Sequence, residues 1–191
     1  MLFLVDVSGS MEEPIAGGKT KLAAAKDAIT QALGHFTPGD NVGLAAFSAD
    51  DDGAITPGLV SPVADIGTER ADFLKALGAL KPIEFTPLYS AVDTFAQQRS
   101  DDWQADRINA IVLLSDGKNE TLTPTITAEQ MIGNLKGHHD HNPVLVFTLA
   151  YGADADVATL QSISSATGAH YYDATDPTKV GDVLGDLVTS F

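Results

Sequence analysis

Apolar residues along the chain fall into two alternating rhythms. Short runs are hydrophobic nearly throughout: residues 2–7, 41–48, 108–114 and 143–149. Runs of this length and composition predict buried strands. Two weaker segments join them. Residues 54–60 carry Pro57 and Gly58, and a proline inside a strand argues for an edge position. Residues 169–172 form a short last strand. Between these runs the apolar positions recur at helical spacing. Leu22, Ala25, Ile29 and Leu33 mark a helix over 21–35, with Thr20 as its cap. Phe73, Leu74, Leu77 and Leu80 mark one over 69–80. Leu88, Ala91, Val92 and Phe95 mark one over 87–98. There Thr86 is the expected N-cap and Pro87 the first helical residue. Further helices are predicted over 127–137, 155–167 (closed by Gly168) and 178–191.

Strands and helices thus alternate, and the best strands are apolar on both faces. That pattern predicts a mostly parallel sheet covered on both sides by helices. Such sheets hold ligands outside the carboxyl ends of their strands, where the winding direction reverses. Two polar segments fall at such ends. One is Asp6-Val7-Ser8-Gly9-Ser10, after the first strand; the other is Ser115-Asp116-Gly117, after the strand at 108–114.

The side chains that this topology gathers are all oxygen donors. Asp6, Ser8 and Ser10 come from the first segment, Thr86 from the loop before a helix, and Asp116 from the third. Two carboxylates and three hydroxyls suit a hard cation, Mg²⁺, Mn²⁺ or Ca²⁺, with water completing the shell. One position is then open to an incoming acidic group, such as a carboxylate of a partner protein. Each residue also has a plainer reading. Ser8 or Ser10 caps a turn, Asp6 holds the turn by hydrogen bonds, Thr86 caps a helix, and Asp116-Gly117 ends a strand. The joint placement favours the ion.

Charge narrows the partners. With 26 acidic and 11 basic residues the formal net charge is -15, which removes the general attraction to a phosphate backbone. Nucleic acid is not an expected partner. No run approaches 18 apolar residues, so no segment is expected to insert in a membrane. The absence of cysteine excludes disulfides, thiolate metal sites and cysteine nucleophiles. At 191 residues the chain is expected to be one domain over 1–191. It opens on a core strand with no basic leader, so it is expected to be cut from a longer protein. Its oligomeric state is not legible.

At these residues the chain resembles the von Willebrand factor type A family, also called integrin I-domain-like. The resemblance rests on Asp6-x-Ser8-x-Ser10, on Thr86-Pro87-Leu88, and on Asp116-Gly117 closing the run from Ile111. It covers essentially the whole chain. It implies a three-layer, doubly wound α/β fold: a mostly parallel six-stranded sheet, one short antiparallel edge strand, and helices on both faces. It also implies a metal-ion-dependent adhesion site built from Asp6, Ser8, Ser10, Thr86 and Asp116. In that family, Ser8, Ser10 and at times Thr86 touch the ion, while Asp6 and Asp116 act mostly through water. A partner's Asp or Glu completes the site. The implied function is metal-dependent protein recognition or adhesion. The alternative is a structural or assembly domain whose contacts do not need the metal. A narrower resemblance is to bacterial members that follow a solute-binding-like module, which implies an extracellular or membrane-anchored protein and leaves the cytoplasm open. One departure is Glu84-Phe85 before Thr86, where many relatives have glycine; a stiffer, bulkier loop is expected.

Other signals are read plainly. Met11 is expected to be packing. His138-His139-Asp140-His141 is expected to be a solvated loop at the far end of the sheet, in preference to a zinc or nickel site. Asp50-Asp51-Asp52-Gly53 is read as an acidic turn, since the ligands of a calcium loop do not follow it. Gly17-Gly18-Lys19-Thr20 lacks the first glycine of a phosphate-binding loop. Catalysis is not expected: no histidine base falls on the rim, no Gly-x-Ser-x-Gly elbow occurs, and Ser8 stands where a phosphohydrolase of the haloacid-dehalogenase kind has its second aspartate.

Overall fold

The computed structural model describes residues 1–15, 18–49, 54–122, 126–152, 155–174, 176 and 180–189. Six strands form one sheet in the order β3-β2-β1-β4-β5-β6. They are β1 (Leu2–Asp6), β2 (Asn41–Ala49), β3 (Ile55–Asp65), β4 (Ala110–Ser115), β5 (Leu145–Tyr151) and β6 (Tyr171–Ala174). All pairings are parallel except that of β2 with β3. The expected α/β architecture is therefore present, with β3 as the antiparallel edge.

Alternation along each central strand divides the core. Phe3 and Val5 of β1 face one layer, built from α1 (Lys21–Ala32), α2 (Ile66–Ala79) and α6 (Val180–Thr189). Leu2 and Leu4 face the other, built from α3 (Leu88–Asp101), α4 (Ala128–His141) and α5 (Val157–Ala166). Period-two side-chain direction on a strand with apolar residues at every position requires cover on both sides. In the first layer Phe3 meets Phe36 and Phe73 edge to face, each with ring centroids 6.3 Å apart. Met11 is fully buried in that layer, as packing.

Several boundaries differ from the sequence expectation. The edge strand is not short: β3 runs on to Asp65, past Pro57 and Gly58 and through Pro62. Its edge position removes the need for every N–H to pair, so those residues do not end it. Helix α2 begins at Ile66, because Asp65 caps it by accepting from Gly67 N at 2.8 Å. Helix α4 extends through His141, so the histidine cluster is its last turn and not a loop. Cationic or polar side chains suit that end of the helix dipole. There His138 Nε2 lies 3.7 Å from Asp93 Oδ1 on α3. Among the described residues no three His, Cys, Asp or Glu side chains gather as a metal site. Thr20 does cap α1, accepting from Ala23 N, and Gly168 follows α5 at a φ of 67°. The expected turn at 50–53, Gly17 and the residues at 177–179 and 190–191 lie outside the described residues.

Candidate functional site

The sheet reverses direction at β1. From there the chain winds outward to β2 on one side and to β4 on the other. The carboxyl ends of β1 and β4 are neighbours, with Val5 in register with Leu114. Asp6 and Ser115–Asp116 therefore emerge side by side at the switch point, the position where open parallel sheets bind ligands.

Four of the five expected site residues join one hydrogen-bond network. Asp6 Oδ1 accepts from Ser8 N at 2.9 Å, which folds the loop back on the strand end. Ser8 Oγ and Ser10 Oγ lie 3.2 Å apart. Ser10 Oγ donates to Asp116 Oδ2 at 3.0 Å, linking residues 106 positions apart. Asp6, Ser8 and Asp116 are buried. Asp116 is held from behind as well: its backbone carbonyl accepts from Asp156 N at 2.6 Å, and Gly117 follows at a φ of 77°. A Cβ on Gly117 would stand 2.8 Å from Asp156 O, so this turn requires glycine.

Thr86 reaches the rim by another route. Residues 83–86 cross the strand ends as an extended strip. Ile83 N donates to Val7 O, and Gly9 N to Glu84 O. Phe85 pairs in both directions with Ala49 at 3.1 Å, and Ser48 Oγ donates to Phe85 O at 2.6 Å. Thr86 pairs in both directions with Glu120. The strip thus touches β1, β2 and the loop after β4 in turn. This corrects the expected role of Thr86 as helix cap. Both of its backbone groups are spent on Glu120, and α3 starts at Leu88 with Pro87 in the capping position. The cap function passes to Asn119, whose Oδ1 accepts from Tyr89 N at 3.1 Å.

Two residues outside the expected ligand set stand at the same rim. Ser115 Oγ donates to Asp6 Oδ2 at 2.7 Å and accepts from Gly117 N at 3.0 Å. A lone serine ending an otherwise apolar strand was its signal. Lys21, the first residue of α1, is buried, and its Nζ lies 4.0 Å from Asp116 Oδ2. Its signal was a cation at a helix N-terminus, where the dipole disfavours it.

Burial sets the electrostatics of Asp6 at this rim. Complete burial pushes the Asp6 carboxyl up to about 6, even though hydrogen bonds from Ser8 and Ser115 favour its ionised form; the charge of Asp116 adds to the rise. A divalent ion would relieve this cost. Buried carboxylates, two hydroxyls in contact and a third at Thr86 match the hard oxygen donors that such an ion takes. The residues therefore fit a divalent cation.

Comparison with known proteins agrees with this architecture. The family model of the von Willebrand factor type A domain matches residues 1–118. A von Willebrand factor type A structure from Catenulispora acidiphila is similar at 22% identity with a TM-score of 0.76, covering 98% of this chain and 41% of that one. A D319A mutant of the PilB minor pilin from Streptococcus sanguinis is similar at 14% identity and a TM-score of 0.74, covering 99% of this chain and 60% of that one. Manganese-loaded TRAP protein from Plasmodium vivax is similar at 13% and 0.65, covering 98% and 72%. This chain spans less than two thirds of the first two. At these identities the likeness carries the fold. No curated protein sequence matches the chain.

Proposed function

Because the chain belongs to the von Willebrand factor type A domain family, we propose that it is a protein-recognition module whose rim holds a divalent cation, Mg²⁺ with Mn²⁺ or Ca²⁺ as substitutes. In this reading Ser8, Ser10 and Thr86 offer hydroxyl ligands, and Asp6 and Asp116 neutralise the ion directly or through water. The ion supplies a Lewis-acidic point that accepts a carboxylate from an Asp or Glu of the partner. The observation that carries the reading is the contact of Ser10 Oγ with Asp116 Oδ2, which brings oxygen donors of distant segments together at the switch point. The manganese in one similar structure, the TRAP protein, supports a divalent ion in this fold.

Among the described residues the rim carries no histidine, and the sequence has no Gly-x-Ser-x-Gly elbow, so we propose binding and not catalysis. An export route and a neighbouring solute-binding-like module are the narrower proposals, and the full-length gene product tests both.

Calorimetric titration of Mg²⁺ tests the ion. Wild type is expected to bind one divalent ion, and Asp6→Ala and Ser8→Ala to bind none. Partner capture with and without chelator then tests the role. Loss of capture in chelator supports the metal-dependent module; capture indifferent to chelator and to Asp6→Ala favours the assembly domain.

A further inference from the structure

Lys21 is an unexpected neighbour for a cation site. A lysine in the first turn of a helix opposes the helix dipole, and a buried ammonium loses its hydration. Yet its side chain is only 7% exposed. Three separate segments build its seat. Glu13 Oε2 accepts from Nζ at 2.5 Å, and Glu13 O accepts from Lys21 N at 3.0 Å. Asp116 Oδ2 faces Nζ at 4.0 Å. Gly152, at the end of β5 with a φ of 91°, leaves room for the stem: a Cβ there would stand 2.9 Å from Lys21 Cε. The seat places the ammonium against the same oxygen, Asp116 Oδ2, that Ser10 Oγ touches.

We propose that Lys21 is a resident counter-cation of the rim, balancing Asp116 when no divalent ion is bound and opposing the ion when one arrives. Glu13 sets how strongly it does so, because it shares the ammonium with Asp116. The inference rests on the metal-binding reading above. Its consequence is a site that stays folded without metal and releases its ion more readily than the same oxygens would alone. Lys21 is a positioning residue here: it acts on the ion through charge and through Asp116.

Mg²⁺ calorimetry on wild type, Lys21→Met, Lys21→Arg, Glu13→Gln and Glu12→Gln tests it, with thermal midpoints measured in chelator. Removing a unit charge this close is expected to tighten Mg²⁺ binding by about tenfold. Lys21→Met should show that gain and melt lower than wild type in chelator, while Lys21→Arg keeps wild-type affinity. Glu13→Gln leaves the ammonium wholly to Asp116 and should weaken Mg²⁺ more than Glu12→Gln, which removes the same charge one residue away. Should Lys21→Met fail to fold, the two glutamine variants decide: a larger loss at Glu13 supports the proposal and equal losses overturn it. Unchanged or weaker Mg²⁺ binding by a folded Lys21→Met also overturns it, while wild-type binding leaves the metal reading intact. No Mg²⁺ binding by wild type or Lys21→Met overturns both. Binding gained by Lys21→Met alone supports the counter-cation role.

Discussion

Asp6 is the residue on which the rim's energetics turn. Its folded-state value near 6 lies above the ordinary 3.8, so the folded chain holds this proton more tightly than the unfolded chain. Without metal, the contribution of this group to stability is therefore full below about pH 4 and is lost as pH rises to 6. Under the proposed metal reading the order reverses with Mg²⁺: the ion would need the carboxylate, so its affinity should climb across pH 5 to 7. Asp6→Asn separates the two effects. An amide oxygen can still accept from Ser8 N, and Ser115 Oγ can turn to accept from the amide. In chelator at pH 7 the variant should be more stable than wild type, by on the order of 2 kcal/mol. Added Mg²⁺ should raise the wild-type thermal midpoint and leave the variant's unmoved. The acidity of this group was not legible in the sequence, because it follows from burial and from Asp116, which is 110 positions away.

Among the elements, β2 and β3 show where sequence pattern carries and where it stops. The apolar run of β2 announced a strand, and Pro57 announced an edge. The full length of β3 was hidden, since nearly all its residues are exposed or half-buried and it has no strong apolar face. Pairing with β2 sustains it instead. That pairing shifts register between Val42 and Ala45. Gly43 sits at the shift, and a Cβ there would lie 2.6 Å from Val63 Cγ2 and 2.9 Å from the Val63 backbone. Gly43→Ala should cost about 1–3 kcal/mol, because backbone would have to move. Gly78, in α2 with open space around its Cα, should show the opposite sign: Gly78→Ala is expected to stabilise by about 0.4–1 kcal/mol. Denaturant midpoints at constant slope check both. Thr86 teaches a related lesson. Thr-Pro before an apolar helix reads as a cap, but the backbone bridge to Glu120 is a long-range contact that no local pattern encodes.

At the scale of the whole molecule, the alternation of apolar strands and amphipathic helices was enough to place two polar segments on one rim. It could not show what lies between them. The route of residues 83–86 over the strand ends, and the reach of Lys21 from α1 to Asp116, depend on how the layers dock. The net charge of -15 belongs to this scale too. A chain this acidic attracts cations in general, and under the proposed reading it favours partners whose acidic contact residue is set among basic ones.

The strip from Ile83 to Thr86 has a consequence for motion. Its amides at Ile83, Phe85 and Thr86 donate to Val7, Ala49 and Glu120, and the Glu84 carbonyl accepts from Gly9 N, so lifting it breaks bonds to the segment after β1, to β2 and to the loop after β4 in turn. Loops over binding sites commonly exchange their amide hydrogens through small local openings. Here the amides of Gly9, Ile83, Phe85 and Thr86 should exchange as slowly as those of β1 and β4, through global unfolding alone. Amide exchange followed by NMR would show it; fast exchange at Phe85 and Thr86 beside a protected β1 would sink the idea. A rim held this way meets its partner already ordered, so association should proceed close to rigid docking, with little entropy left to lose on the domain's side.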